Sequence, residues 1–133
     1  MSNEIKMTQK GEFNRTLRFL SDAKNYKAKS NKILDRYGKE GVQALAAYTP
    51  KDTGLTSESW NYRIEDNGKS LRIVWYNTNV SEGWANVAVL IQYGHGTKNG
   101  GYVEGVDYIN PAMNPIFEKI EKSIWEEVVK YHG

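Results

Sequence analysis

The spacing of hydrophobic residues changes character along the chain. From Glu12, the apolar residues Phe13, Leu17, Leu20 and Ala23 recur at helical spacing and predict a short amphipathic helix. A basic polar stretch, Lys24 to Lys32, follows. Ile33, Leu34, Tyr37, Gly41, Ala44, Leu45 and Tyr48 then fall on one side of a second predicted helix. Gly38 and Gly41 each cost such a helix about 0.5–1 kcal/mol against alanine, and close approach of another backbone is the expected reason for them. Pro50 ends this helix, because the residue before a proline avoids the α region.

Beyond Pro50 the period falls to two. Trp60, Tyr62 and Ile64 alternate with Asn61 and Arg63, and Leu71, Ile73 and Trp75 alternate with Arg72, Val74 and Tyr76. With Asn67–Gly68 between them, these two strands read as a hairpin. The run W-A-N-V-A-V-L-I-Q-Y reads as a third strand, and its unbroken apolar stretch Val87–Ile91 predicts a central position covered on both faces. Residues 94–109 read as a long glycine-rich loop. Asn110–Pro111 reads as the N-cap and first residue of a last helix reaching about Tyr131. Ala112, Ile116, Ile120, Ile124 and Val128 form its stripe, with Met113, Phe117, Trp125 and Val129 beside it. The expected fold is α+β: a small antiparallel sheet of three to four strands, with two N-terminal helices and one long C-terminal helix packed on it. Residues 1–10 are expected to be a flexible N-terminus, and 11–133 a single domain.

A chain of 133 residues can bury a core without staples. The absence of cysteine removes disulfides, thiol chemistry and thiolate metal sites. The opening M-S-N-E-I-K-M-T-Q-K lacks the apolar run of a signal peptide, and no apolar run approaches a membrane span, so a soluble protein kept in a cytoplasm is expected. The formal charge of +2 does not mark a nucleic-acid binder. Residues 1–32, however, hold eight lysines and arginines against three acids, which fits either a solvated helical face or a contact with DNA or an acidic partner.

Candidate chemistry is sparse. Asp52-Thr53-Gly54 looks like the catalytic triplet of aspartic proteases, but it follows a helix end rather than an apolar strand, and Lys51 favours an ionised Asp52. The same residues make a structural turn: Pro50 fixes φ, Asp52 and Thr53 bond the backbone, and Gly54 takes a positive φ. His95, Glu104 and Asp107 are the candidate metal donors, together with the near-terminal His132, but they sit on a glycine-rich loop without a second shell. No serine stands in a nucleophile elbow, and the glycines form no phosphate motif. No catalytic residue, metal or cofactor is therefore expected. Trp60, Tyr62, Trp75, Tyr76, Trp84 and Tyr93 serve either core and interface or a base-stacking platform. Ordering the 94–109 loop costs roughly 1–2 kcal/mol per residue, more at glycine. The loop is expected to stay mobile or to order against a partner surface. Tyr93, His95, Thr97, Tyr102, Val103 and Tyr108 are its interface residues, with Tyr102, Val103 and Tyr108 as anchors.

Taken together, T-P-K-D-T-G-L-T-S-E-S-W resembles the Pro-x-Asp-Thr-Gly-x-x-x-x-Ser signature of a small structural family of tailed bacteriophages and prophages. Its members are minor capsid, neck or tail-completion proteins that join head to tail. L-I-Q-Y-G-H-G-T resembles the family's strand ending in aromatic-x-Gly-Thr, and I-N-P-A-M resembles its Pro-Ala ahead of the last helix. The motifs occur in order, and the resemblance covers about residues 11–130. The chain departs from the pattern where many members carry an acidic residue just before the Gly-Thr region; here stand Gln92 and His95. The resemblance implies a non-enzymatic virion component, made in the host bacterial cytoplasm. It would form a ring, or part of one, as a homo-oligomer in contact with other neck, portal or tail proteins. Weak contact with DNA in the channel is part of that picture; a membrane or a small-molecule substrate is not. The alternative is a small nucleic-acid-binding module using the basic N-terminal third and the sheet aromatics, and a third reading is a hydrolase around Asp52 or His95.

Overall fold

The computed structural model describes residues 4–5, 24–50, 54–68, 71–81 and 85–132. In chain order these form β1 (Glu4–Ile5), α1 (Lys24–Tyr48), α2 (Gly54–Ser57), β2 (Trp60–Asp66), β3 (Leu71–Asn77), β4 (Val80–Ser81), β5 (Ala85–Asn86), α3 (Val87–Tyr93), β6 (Gly94–Gly96), β7 (Tyr102–Glu104) and α4 (Ile109–His132). The architecture is mixed helix and antiparallel sheet, an α+β fold. The helix expected over Glu12–Ala23 lies outside the described residues, as do Trp84 and the expected turn residues Asp52 and Thr53.

β2 and β3 pair in the register Trp60↔Asn77, Tyr62↔Trp75 and Ile64↔Ile73. The period-two pattern therefore places these side chains on one face. The strands are joined through Gly68, at φ 88, whose N–H donates to Asp66 Oδ1 at 2.8 Å. β3 is central, with β1 on its other side, Glu4 opposite Tyr76. The remaining ladders are two-stranded, β4 with β5 and β6 with β7.

α1 crosses the Tyr62–Trp75 face. The basic stretch at Lys24–Lys32 is the beginning of this helix rather than a connection before it. Trp75 is fully buried, and its indole N–H donates to the Gly38 carbonyl at 3.0 Å. A Cβ on Gly41 would stand 2.4 Å from that indole nitrogen, and one on Gly38 2.4 Å from the Tyr62 ring. The two glycines thus make room for aromatic rings, not for the neighbouring backbone that was expected. α4 packs antiparallel to α1: Lys29 meets Glu127, Tyr37 bonds Ser123, and Glu40 meets Lys119. Phe117 of α4 meets Trp75 edge-on, with ring centroids 6.0 Å apart. Leu34, Leu45, Met113, Ile120 and Ile124 complete the interior.

Four expectations need correction. The predicted third strand over 84–93 is, from Val87 on, the helix α3. Asn86, in extended backbone, caps it by accepting from Val89 N at 3.4 Å, and Ala88 and Gln92, four residues apart, turn inward. An unbroken apolar run carries no period, so it cannot distinguish the two elements. Gly54 does not take a positive φ; it opens the single turn α2, with open space where a Cβ would stand. Tyr48 is exposed although it was placed on the buried stripe, and Trp125 and Val129 of α4 are exposed as well. Finally, α4 starts at Ile109, before Asn110, and Asp107 Oδ1 accepts from Asn110 N and Nδ2. No described helix is long and apolar enough to cross a membrane.

Candidate interaction surface

The segment that follows α3 was expected to be an unpaired loop. It folds on itself instead. β6 and β7 pair in the register Gly94↔Glu104, His95↔Val103, Gly96↔Tyr102. The tip closes through Thr97, whose N–H donates to the Gly101 carbonyl at 2.9 Å and whose hydroxyl oxygen accepts from Gly101 N at 3.0 Å. Gly100, at φ 83, makes this turn possible. Part of the ordering cost is therefore offset within the chain, by bonds worth about 0.5–1.5 kcal/mol each.

The base of the hairpin is pinned by Gln92. Its amide N–H donates to Asp107 Oδ1 at 2.9 Å, and its carbonyl oxygen accepts from Tyr108 N at 3.1 Å and Ile109 N at 3.0 Å. One buried side chain thus joins the last turn of α3 to two backbone N–H groups at the start of α4, donors that a helix cannot satisfy internally. The Gln92 bond holds the Asp107 carboxyl below the usual carboxylate range, with Asn110 adding to the effect. Val106 N donates to Ile91 O at 2.8 Å, and the Tyr108 hydroxyl donates to Ala88 O at 2.8 Å. Burial raises the Tyr108 phenol above its ordinary value. The two legs cross so closely that a Cβ on Gly94, itself at φ 80, would stand 2.6 Å from the Val103 carbonyl oxygen.

α3 is seated in turn by a set of amides. Asn86 Nδ2 donates to Asn77 O at 3.1 Å, Asn77 Nδ2 to Thr56 O at 2.8 Å, and Asn79 Nδ2 to Thr56 Oγ1 at 2.8 Å. On the other side of α2, Trp60 Nε1 donates to Thr49 Oγ1 at 2.9 Å. The hairpin therefore projects from a base tied to both α1 and the sheet.

What it presents is apolar and aromatic. Tyr93 and Tyr102 are about two-thirds exposed, and Val103 and Val106 about half. The Tyr102 hydroxyl donates to the Tyr93 carbonyl at 3.2 Å, which holds one ring beside the other residue. His95 is partly buried, and its Nδ1 is enclosed without a partner. Thr97 spends its hydroxyl on the turn. Tyr108, expected to anchor on a partner, is instead 3% exposed in this chain's own core, where its ring meets Trp60 edge-on. It positions the hairpin and does not face outward.

Compared with protein-family models, with curated proteins and with solved structures, the chain matches none.

Other chemistry distributes as follows. His95, Glu104 and Asp107 do not form a donor set: among the described residues no group of three His, Asp or Glu side chains is placed to hold a metal ion. Tyr62 donates to Asp35, which depresses the Asp35 carboxyl and pushes the phenol up to about 12. Glu65 is held low by Arg72 and Arg63. These are partly buried pairs at the edge of α1 and on the sheet. Trp60 and Trp75 are buried and have no face to offer a base, so the stacking platform loses both. The sequence reading missed Asn86 and Gln92 as positioning residues. Their signals are an asparagine three residues ahead of Val89, and a single amide closing an otherwise apolar run.

Proposed function

We propose that this chain is a structural virion protein of a tailed phage or prophage, part of the head–tail connector or neck or a tail-completion protein. It works by ring-type self-assembly and by contact with neighbouring portal, neck or tail proteins. The observation that carries the reading is the hairpin 94–104. It is a short arm bonded to itself and pinned at its base, and it offers Tyr93, Tyr102 and Val103 to solvent. Aromatic side chains are the enriched component of protein interfaces, and a rigid arm loses little entropy when it docks. The order of the three sequence motifs supports the same assignment. The Pro50–Ser59 stretch links α1 to β2, and the Gly-His-Gly-Thr stretch is the rising strand and turn of the arm.

Negative-stain microscopy of the purified protein, alone and mixed with portal or tail proteins of the same phage, tests the proposal. Closed rings, or particles that add to those partners, are expected. A chain that stays monomeric in every mixture contradicts it.

A further inference from the structure

We infer that Asn99, at the tip of the hairpin, is a site of spontaneous deamidation, and that the fold sets it apart from Asn67, the asparagine of the other Asn-Gly pair. Such a pair reacts because glycine, without a Cβ, lets its main-chain nitrogen reach the amide carbon of the asparagine before it. The sequence holds two, Asn67–Gly68 and Asn99–Gly100. Both asparagines are exposed, at turns whose glycines take positive φ, 88 at Gly68 and 83 at Gly100. Asn110 and Asn114 precede prolines, which have no N–H to lose, and Asn77 and Asn86 are buried with their side-chain amides bonded. In the reaction the Gly100 nitrogen gives its proton to water and attacks Asn99 Cγ. A nitrogen–carbon bond forms, the Cγ–Nδ2 bond breaks, and Nδ2 leaves as ammonia with a proton from water. Water then opens the cyclic imide at either carbonyl, giving aspartate or isoaspartate.

The rate turns on how readily the glycine N–H gives up its proton, and the two turns differ there. Gly68 N donates at 2.8 Å to Oδ1 of the Asp66 carboxylate. A charged acceptor holds that proton, and its negative charge opposes the nitrogen anion that must form. Gly100 N donates at 3.1 Å to the neutral Thr97 carbonyl. Hydrogen bonds to charged groups are the stronger class by an amount worth on the order of tenfold in rate, so Asn99 converts first. The product changes the arm. Lys98 and Glu104 leave residues 94–104 without formal net charge, and an acid at position 99 makes them negative. Isoaspartate also routes the main chain through its own side-chain carbon, which lengthens a turn that the Thr97–Gly101 bonds close. The reaction needs only water, so it stands apart from the assembly reading.

Freshly purified protein is aged in mildly alkaline buffer, folded and in urea, and aliquots are digested for mass spectrometry of the peptides carrying Asn99 and Asn67. In the folded protein the acid forms should accumulate on the order of tenfold faster at Asn99 than at Asn67. In urea, where both turns are lost, the two rates should converge. Asp66→Ala removes the charged acceptor and should speed conversion at Asn67 in the folded protein while leaving Asn99 unchanged. Equal rates in the folded protein, faster conversion at Asn67, or no conversion at Asn99 while the urea sample reacts would each overturn the inference. So would the same ratio persisting in urea, or an Asn67 rate that Asp66→Ala leaves unchanged.

Discussion

Around Trp75 the chain is held by shape; around Gln92 it is held by three hydrogen bonds from one side chain. In the first region a helix with two glycines settles onto two aromatic rings, and the fit is set by volume. In the second, apolar residues such as Ala88, Tyr108 and Ile109 are buried as well, but the orientation of the α3–hairpin–α4 junction depends on hydrogen bonds of Gln92, Asn86, Asp107 and the Tyr108 hydroxyl. Volume-determined packing makes its loss felt throughout the fold. A junction built from polar bonds can open locally while the rest stays folded. That difference suits the proposed role of the arm, which is to hold one orientation until it meets a partner.

The comparison breaks most strongly at the packed layer. Trp75→Ala should lower the unfolding free energy by about 3–5 kcal/mol, read from urea denaturation. Gly41→Ala should cost less, about 1–3 kcal/mol, because its Cβ meets the indole while alanine favours the helix. Full tolerance of Gly41→Ala would show that the ring moves aside.

Next comes Gln92→Glu. The carboxylate can still accept from Tyr108 N and Ile109 N, but it can no longer donate to Asp107 and faces it with like charge. A loss of about 1–3 kcal/mol is expected at pH 7, recovering as pH falls and the introduced acid regains its proton. Unchanged denaturation midpoints at pH 7 would refute the donor role. The depressed Asp107 carboxyl contributes stability above its unfolded value of 3.8 that is lost as pH falls through the folded one. In Gln92→Leu, NMR titration should find the Asp107 carboxyl moved back up.

The phenols act at the other extreme of pH. Tyr62 is raised from 10.0 to about 12, and Tyr108 is raised by burial. For both, the folded state favours the protonated form. Their contribution is complete below pH 10 and falls away as pH rises toward the folded values, about 12 for Tyr62. Denaturation midpoints measured from pH 9 to 12 should decline, and the decline should flatten in Tyr62→Phe/Tyr108→Phe. At neutral pH, Tyr108→Phe alone should cost about 0.5–1.5 kcal/mol for its lost bond to Ala88. The smallest effect is expected at Gly54→Ala, within about 0.5 kcal/mol, since φ is not positive and the space is open. A large loss there would restore the strained turn first read from Asp-Thr-Gly.

The same contrast explains what the sequence made legible. The α1 stripe through Leu34, Tyr37, Gly41 and Leu45, the two alternating strands, and Ala112, Ile116, Ile120 and Ile124 of α4 were all visible, because burial by shape imposes a period. α3 was not, because Val87–Ile91 has none and its cap lies in one asparagine. The hairpin was not, because its pairing spans three residues on each side and its base is set by a glutamine reaching across fifteen positions to Asp107. The candidate surface was half legible. Tyr93, Tyr102 and Val103 were named and are exposed, Tyr108 was named and is core, and Trp125 and Val129 were assigned to a packed helix although they face solvent.

Hydrogen exchange on the isolated and the assembled protein tests the central claim most directly. The amides of Val106, Tyr108 and Ile109 should be protected in both states, because Ile91 and Gln92 bond them within one chain. Amides of the 94–104 arm, protected in part by the β6–β7 ladder and the Thr97–Gly101 bonds in the isolated chain, should gain further protection on assembly. An arm exchanging equally fast in both states would contradict its proposed role as the assembling surface.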